Sequence, residues 1–139
     1  MMVLKESSVI RWMYGSQEVV DIPDGMVGFV YIITYVDGTY YVGKKLARSL
    51  RKKKPLKGMR KNARRMVMVE HKWREYEGSS AIETKSEILN KDILYWCSTA
   101  RAMTFLEAET QFKLRVLQDK KSLNGNILGK FFRNVLETE

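Results

Sequence analysis

Gly28-Phe29-Val30-Tyr31-Ile32-Ile33-Thr34-Tyr35-Val36-Asp37-Gly38-Thr39-Tyr40-Tyr41-Val42-Gly43 is the stretch that decides the fold. β-Branched and aromatic residues flank Asp37-Gly38, a strong turn signal, so the segment reads as a β-hairpin. The loop length then sets which side chains share a face. A two-residue Asp37-Gly38 turn pairs Tyr31 with Lys44 and leaves Tyr31 and Tyr41 on opposite faces. A three-residue loop, Val36-Asp37-Gly38, puts the glycine at the left-handed position of a type I turn plus bulge, and Tyr31 and Tyr41 then share a face. Both are chemically allowed, and the three-residue loop is preferred.

Upstream, Ile10–Tyr14 and Glu18–Ile22 read as an irregular strand pair about Gly15-Ser16, and Pro23-Asp24-Gly25 as a second turn. Downstream, a basic stretch is irregular around Pro55 and Gly58. A helix is then expected from Asn62, as N-cap, through Tyr76, ended by Gly78-Ser79-Ser80. Ala81–Leu89 is expected to be a short helix, and Asp92–Cys97 a strand that completes a three-stranded sheet with the hairpin. Thr104-Phe105-Leu106-Glu107 has capping-box spacing and opens a helix to about Asp119. The Asn124-Gly125-Asn126 turn precedes a last amphipathic helix, Ile127–Leu136. The expected class is α/β (α+β), a small three-stranded antiparallel sheet flanked by helices.

With 139 residues, 45% hydrophobic and 29% charged, the chain has the balance of one globular domain. It contains no apolar run long enough for a membrane helix and no signal-peptide core, so a cytoplasmic location is expected. One cysteine, Cys97, excludes an internal disulfide, and its apolar neighbours suggest burial. A single histidine, His71, excludes most histidine-based catalysis and, with the lone cysteine, a structural zinc site. The charge is local. From Lys44 to Lys72, 13 Lys and Arg face one acid, Glu70, a balance of +12 in a chain whose total is +9, so the remainder is net acidic by 3. A polyanion-binding segment of this kind is the footprint of nucleic-acid binding; a membrane surface is the weaker reading, as no amphipathic helix with an aromatic face is evident.

Val30-Tyr31, ten residues before Tyr41-Val42-Gly43 in one hairpin, resembles the signature of the GIY-YIG nucleases, although the first triplet here is Phe29-Val30-Tyr31. Tyr41-Val42-Gly43-Lys44-Lys45, Trp73-x-x-Tyr76-x-Gly78-Ser79-Ser80, Ile93-Leu94-Tyr95-Trp96-Cys97 and Leu106-Glu107-Ala108 follow in the order of the phage-encoded, Seg-type members. The resemblance covers residue 28 to about 126. It sets 1–27 apart as an N-terminal extension and makes 28–139 the GIY-YIG domain. It implies an endonuclease that hydrolyses double-stranded DNA with one divalent ion, Mg²⁺ or Mn²⁺, inside a bacterial host cell if the chain is phage-encoded. Homing, restriction and competition between phages are all compatible settings. The alternative is a catalytically inactive domain of the same fold that only binds nucleic acid. With no separate recognition module evident, specificity is expected from the N-terminal extension, a homodimer or a partner.

Phosphodiester hydrolysis needs an activated water, a cation to offset transition-state charge and a donor for the leaving oxygen. The resemblance assigns this work to Tyr31, Tyr41 and one helical glutamate, which would also hold the metal. A phenol with its ordinary pKa of about 10 needs nearby positive charge to act as a base, and Lys44 and Lys45 follow Tyr41 directly. The family's phosphate-contacting arginine falls on Arg51, with Arg48 as alternative. The glutamate is Glu107 by family position or Glu109 by the helical wheel, which groups Glu109 with Phe105, Phe112 and Val116; Glu107 is preferred, against its other role as capping-box partner of Thr104. Asn124 and His71 are further candidates. Lys52, Lys53, Lys54, Lys57, Arg60, Lys61, Arg64 and Arg65 are expected to meet DNA phosphates, with Ser79 and Ser80 as hydrogen-bond donors. Trp73 and Tyr76 either approach DNA or pack a helix on the sheet, and Tyr35 and Tyr40 are taken as structural.

Overall fold

Strand-forming side chains make β-sheet the main regular structure of the chain. A computed structural model describes residues 10–61, 63, 65–79 and 82–136. In chain order the elements are β1 (Trp12–Tyr14), β2 (Gln17–Glu18), β3 (Gly28–Tyr35), β4 (Tyr40–Leu46), β5 (Arg48–Lys53), β6 (Arg65–Glu70), β7 (Ile88–Cys97), α1 (Ala100–Lys113), β8 (Asn126–Ile127), β9 (Phe131–Phe132) and α2 (Arg133–Leu136).

The β3–β4 hairpin has the three-residue loop. Tyr35 N–H donates to Thr39 O at 2.9 Å, Gly38 N–H donates to Tyr35 O at 2.9 Å, and Gly38 takes φ +90°. Tyr31 consequently pairs with Gly43 and Ile33 with Tyr41, so Tyr31 and Tyr41 share a face. β7 pairs antiparallel with the other edge of β3 and begins at Ile88, earlier than expected.

The sheet has five strands, in the order β2-β1-β7-β3-β4, not three. The extra two are the N-terminal pair. β1 lies parallel to β7, with Trp12 opposite Lys91, and the buried Trp12 indole donates to Trp73 O at 2.8 Å. A parallel neighbour so distant in sequence leaves no local pattern to read.

Each face of β3 carries its own core. One holds Trp12, Phe29, Tyr31, Ile33, Ile93 and Trp73, covered by the irregular segment that follows β6. The other holds Val30, Val42, Cys97, Met103 and Val116 and is covered by α1. α1 starts at Ala100 with Thr99 as N-cap, whose hydroxyl accepts Ala102 N–H, rather than at Thr104, and it stops at Lys113, before Asp119. Bare Gly28 lets it approach, since a Cβ there would sit 2.6 Å from Met103 Sδ and 2.5 Å from Lys45 O.

Three expected helices are absent. Between 62 and 76 the chain forms β6, paired antiparallel with β5, because Met66-Val67-Met68-Val69 alternates with the period of a strand; Asn62 lies outside the described residues. Residues 82–87 form no helix, and Ala81 lies outside the description. Past Asn124 a small β8–β9 hairpin and the four-residue α2 replace the long last helix, the turn being set by positive φ at Leu128 and Gly129. Among the described residues no helix is long and apolar enough to cross a membrane.

Candidate active site

Tyr31 sits in the middle of β3, 1% exposed, with its ring against Trp12, Phe29, Tyr41 and Tyr76. The Tyr31 and Tyr41 centroids are 6.4 Å apart, and the Tyr31 hydroxyl donates to the Tyr76 hydroxyl at 3.5 Å. Gly43, opposite Tyr31, makes this possible. A Cβ at Gly43 would stand 2.5 Å from the Tyr31 hydroxyl and 2.9 Å from the Tyr41 ring, so the phenol lies across a bare backbone.

Glu107 reaches this cluster from the other layer. Gln111, one turn further along α1, donates to Val42 O at 3.0 Å, which fixes the helix beside β4. Glu107, Tyr41, Gln111, Asn124 and Glu83 line one cleft of about 470 Å³. Burial pushes the Glu107 carboxyl up, with Lys44 opposing. The same carboxylate helps to raise the phenols of both Tyr31 and Tyr41, where burial is the leading cause. Glu107 is no capping partner, because Thr104 lies inside the helix and donates to Ala100 O.

The family model described as "Putative endonuclease segE, GIY-YIG domain" matches residues 12–132. The chain belongs to this family. No curated protein and no solved structure matches it. The GIY-YIG match runs from the first residue of β1 to the last of β9, so it takes in the N-terminal strand pair as well as the hairpin. Membership implies nuclease activity in general, with DNA as the substrate class.

Other sequence candidates fall into distinct places in this GIY-YIG domain. Glu109 is away from the cleft, 3.8 Å from Lys113 on the helix surface. The wheel misplaced it because Phe105 and Phe112, which defined its stripe, are exposed, while the helix buries Met103, Ala108, Thr110 and Gln111. Lys44 faces α1 and donates to Thr104 Oγ1 at 2.7 Å, and Lys45 Nζ sits 4.6 Å above the Tyr76 ring. Neither lysine lowers a tyrosine. Both phenols move up, the reverse of what a base near neutrality needs, because desolvation outweighs the charge. Arg48 is committed to Met26 O and Pro23 O, and Arg51 lies exposed on β5. His71 Nε2 is 2.8 Å from Ser49 Oγ, at the root of the β5–β6 pair.

Asn124 is buried and structural in its contacts. Its Oδ1 accepts Val42 N–H at 3.0 Å and its Nδ2 donates to Val42 O at 2.8 Å, so it completes the open edge of β4 between Tyr41 and Gly43. Ser79 hydrogen-bonds to the Tyr41 hydroxyl, which pulls that phenol down against burial. Lys52, Lys53, Lys54, Lys57, Arg60, Lys61 and Arg65 all belong to β5, β6 and their connecting loop; Arg64 and Ser80 lie outside the described residues.

Two side chains take roles here that differ from, or were missing from, the sequence expectation, which set Tyr76 against DNA or under a helix and did not single out Lys91. Tyr76 closes the tyrosine cluster, and its position before Gly78-Ser79 was the available signal. Lys91, 0% exposed on β7, donates to Tyr76 O at 2.7 Å and Arg74 O at 3.2 Å and lies 4.6 Å over Trp12, with burial pushing it down to about 8. A lysine in phase with Ile93 on a buried strand was its signal.

Among the described residues no group of three or more His, Cys, Asp or Glu gathers to form an all-protein metal cage. The Glu107 carboxylate, drawn into the cleft without a hydrogen-bond partner among those residues, suits instead a hard cation that keeps several waters and shares phosphate oxygens.

Proposed function

We propose that the chain is a DNA endonuclease that hydrolyses phosphodiester bonds at the Tyr31–Tyr41–Glu107 cluster with one divalent ion, Mg²⁺ or Mn²⁺. The observation that carries the reading is that the Tyr41 phenol, backed by the buried Tyr31 ring, and the half-buried Glu107 carboxylate from the opposite layer line a single cleft. The ion would be held by Glu107 and would supply charge neutralisation at the phosphate.

The remaining work falls to side chains of the chain. Tyr41, at the cleft wall, is the phenol placed to meet the attacking water or a phosphate oxygen. With its pKa raised it stays protonated near neutrality and acts as a hydrogen-bond donor that orients the water. Tyr31 stands behind it and fixes the Tyr41 ring and the Tyr76 hydroxyl, a positioning role consistent with its burial. Lys44 lies beside Glu107 and adds positive charge at the cleft rim. Asn124 and Gln111 hold the β4 backbone against α1, so Tyr41 and Glu107 keep their relation.

One observation favours a second reading, a domain that binds DNA without cutting it: neither phenol is activated as a base. Plasmid nicking separates the two. The parent protein with Mg²⁺ or Mn²⁺ is expected to relax supercoiled plasmid, and Tyr31→Phe to bind duplex like the parent while nicking far more slowly. Tight binding by a parent that nicks nothing with either ion leaves the binding-only reading.

A further inference from the structure

Between Arg48 and Glu70 the sequence holds ten Lys and Arg and one acid, so the net charge of this segment equals the +9 of the whole chain. The structure gives that charge a shape. β5 and β6 form a separate two-stranded sheet, and neither strand makes an extensive contact with any other strand or helix. The ribbon is fixed at its root, where buried Ala47 donates to Val27 O at 2.7 Å and accepts His71 N–H at 2.7 Å. Lys54, Lys57, Arg60 and Lys61 are exposed in the loop at its far end.

The register sorts the ribbon into two unlike faces. Paired residues share a face, so Ser49, Arg51 and Lys53 stand with Val69, Val67 and Arg65. The other face carries Leu50, Met66 and Met68, all exposed, with Glu70, and of its two cations Arg48 is already tied to carbonyls, which leaves Lys52. On the first face Arg65 Nε–H donates to Lys54 O at 3.2 Å, within the ribbon, while Arg51 and Lys53 are exposed. Hydrogen-bond donors for a nucleic acid are therefore concentrated on the Arg51 face and in the loop.

Dimensions select the site. Six strand residues span about 20 Å, and a two-stranded ribbon fits a DNA major groove about 12 Å wide but not a minor groove of about 6 Å. Guanine presents two acceptors, O6 and N7, on the major-groove edge, the pattern that an arginine fork matches. We propose that the β5–β6 ribbon enters the major groove of duplex DNA with Arg51, Lys53 and Arg65 turned to the base edges and the loop cations on flanking phosphates. The domain then carries its own sequence-reading arm, distinct from the tyrosine–glutamate cluster. This rests on the reading of the chain as a protein that acts on DNA, but it concerns binding alone.

The test uses the full chain without divalent ion and a pool of random-sequence duplexes treated with dimethyl sulfate, which methylates guanine N7 in the major groove and adenine N3 in the minor groove. The bound fraction is expected to be depleted in N7-methylguanine and unchanged in N3-methyladenine. An Arg51→Ala/Lys53→Ala double variant is expected to lose affinity about tenfold or more, together with that depletion. Met66→Ser/Met68→Ser is expected to keep both, and Lys57→Ala to lower the salt slope by about one without altering the methylation pattern. Thermal unfolding of each variant checks that the core is intact. Depletion of N3-methyladenine alone, or parent-like binding and depletion by the Arg51/Lys53 variant, overturns the arm. A parent that binds no duplex at all overturns the proposed function as well, whereas a normal N7 pattern with no nicking on adding Mg²⁺ or Mn²⁺ overturns only the proposed hydrolysis.

Discussion

Tyr31 and Arg51 are twenty residues apart in sequence and sit in opposite physical settings. Tyr31 is buried in a five-stranded sheet, touched by four aromatic rings, with a phenol that burial keeps neutral. Arg51 is exposed on a two-stranded ribbon that, among the described residues, makes no extensive contact with another strand or helix. The sheet fixes the position of each side chain through many partners, as chemistry on a phosphorus atom requires. The ribbon leaves Arg51, Lys52 and Lys53 exposed to solvent. On the proposed function, the positions that must be accurate are those the core holds from every side, and the positions that would grip DNA are those the core does not touch.

Substitutions on the two sides should behave differently. The largest effect is expected from Tyr41→Phe, which removes the phenol at the cleft wall: nicking falls by about 100-fold or more while duplex affinity is unchanged. A Tyr41→Phe protein that nicks like the parent would transfer the water-orienting role elsewhere. Gly43→Ala attacks the same cluster through packing. Its Cβ would force the Tyr31 ring to move, at about 1–3 kcal/mol of stability by chemical denaturation, with loss of nicking. An unchanged midpoint would show that the phenol has room the structure denies it.

On the ribbon side the expected changes are in binding and in its salt dependence. If about five cations meet phosphates, log affinity should fall against log salt with a slope of roughly −4 to −5, and a slope near zero would remove the ribbon from the interface.

The buried part of the molecule also predicts a pH signature. Lys91 is pushed from its ordinary 10.5 down to about 8, so below pH 8 the folded state carries the full cost of a buried ammonium, partly offset by Glu77 and Glu75. Between about pH 8 and 10.5 the unfolded chain holds that proton and the folded chain does not, so stability rises with pH. The raised phenols of Tyr31 and Tyr41 act in the opposite sense above pH 10, where the unfolded chain ionises first and stability falls. Denaturation midpoints should therefore rise from pH 8 towards 10 and then drop, and Lys91→Met should flatten the rise. A parent profile that is already flat would mean Lys91 titrates normally.

The legible parts of the sequence were those with local causes. Asp37-Gly38 with one residue before it set the hairpin register and so the shared face of Tyr31 and Tyr41, and the apolar setting of Cys97 announced its burial. β6 carried a readable period of two in Met66-Val67-Met68-Val69, but the cations around it and Asn62 before it favoured a helix. The parallel pairing of β1 with β7, and with it the placing of Lys91 over the Trp12 ring, joins residues some eighty positions apart, beyond any local pattern. At the site, the glutamate is ambiguous from sequence because the wheel takes the exposed Phe105 and Phe112 for the buried face. Thr99, not Thr104, caps α1, and the buried face then follows Met103, Ala108 and Gln111 instead of the phenylalanines.

Whether one carboxylate serves the tyrosine cluster is decided by Mg²⁺- or Mn²⁺-dependent plasmid nicking by Glu107→Gln beside Glu109→Gln, with duplex affinity recorded for both. Glu107→Gln is expected to lose about 100-fold or more of nicking with parent-like DNA binding, and Glu109→Gln, whose carboxylate faces Lys113, to nick like the parent. Parent-like nicking by Glu107→Gln, or the loss falling on Glu109→Gln instead, would contradict that role for Glu107.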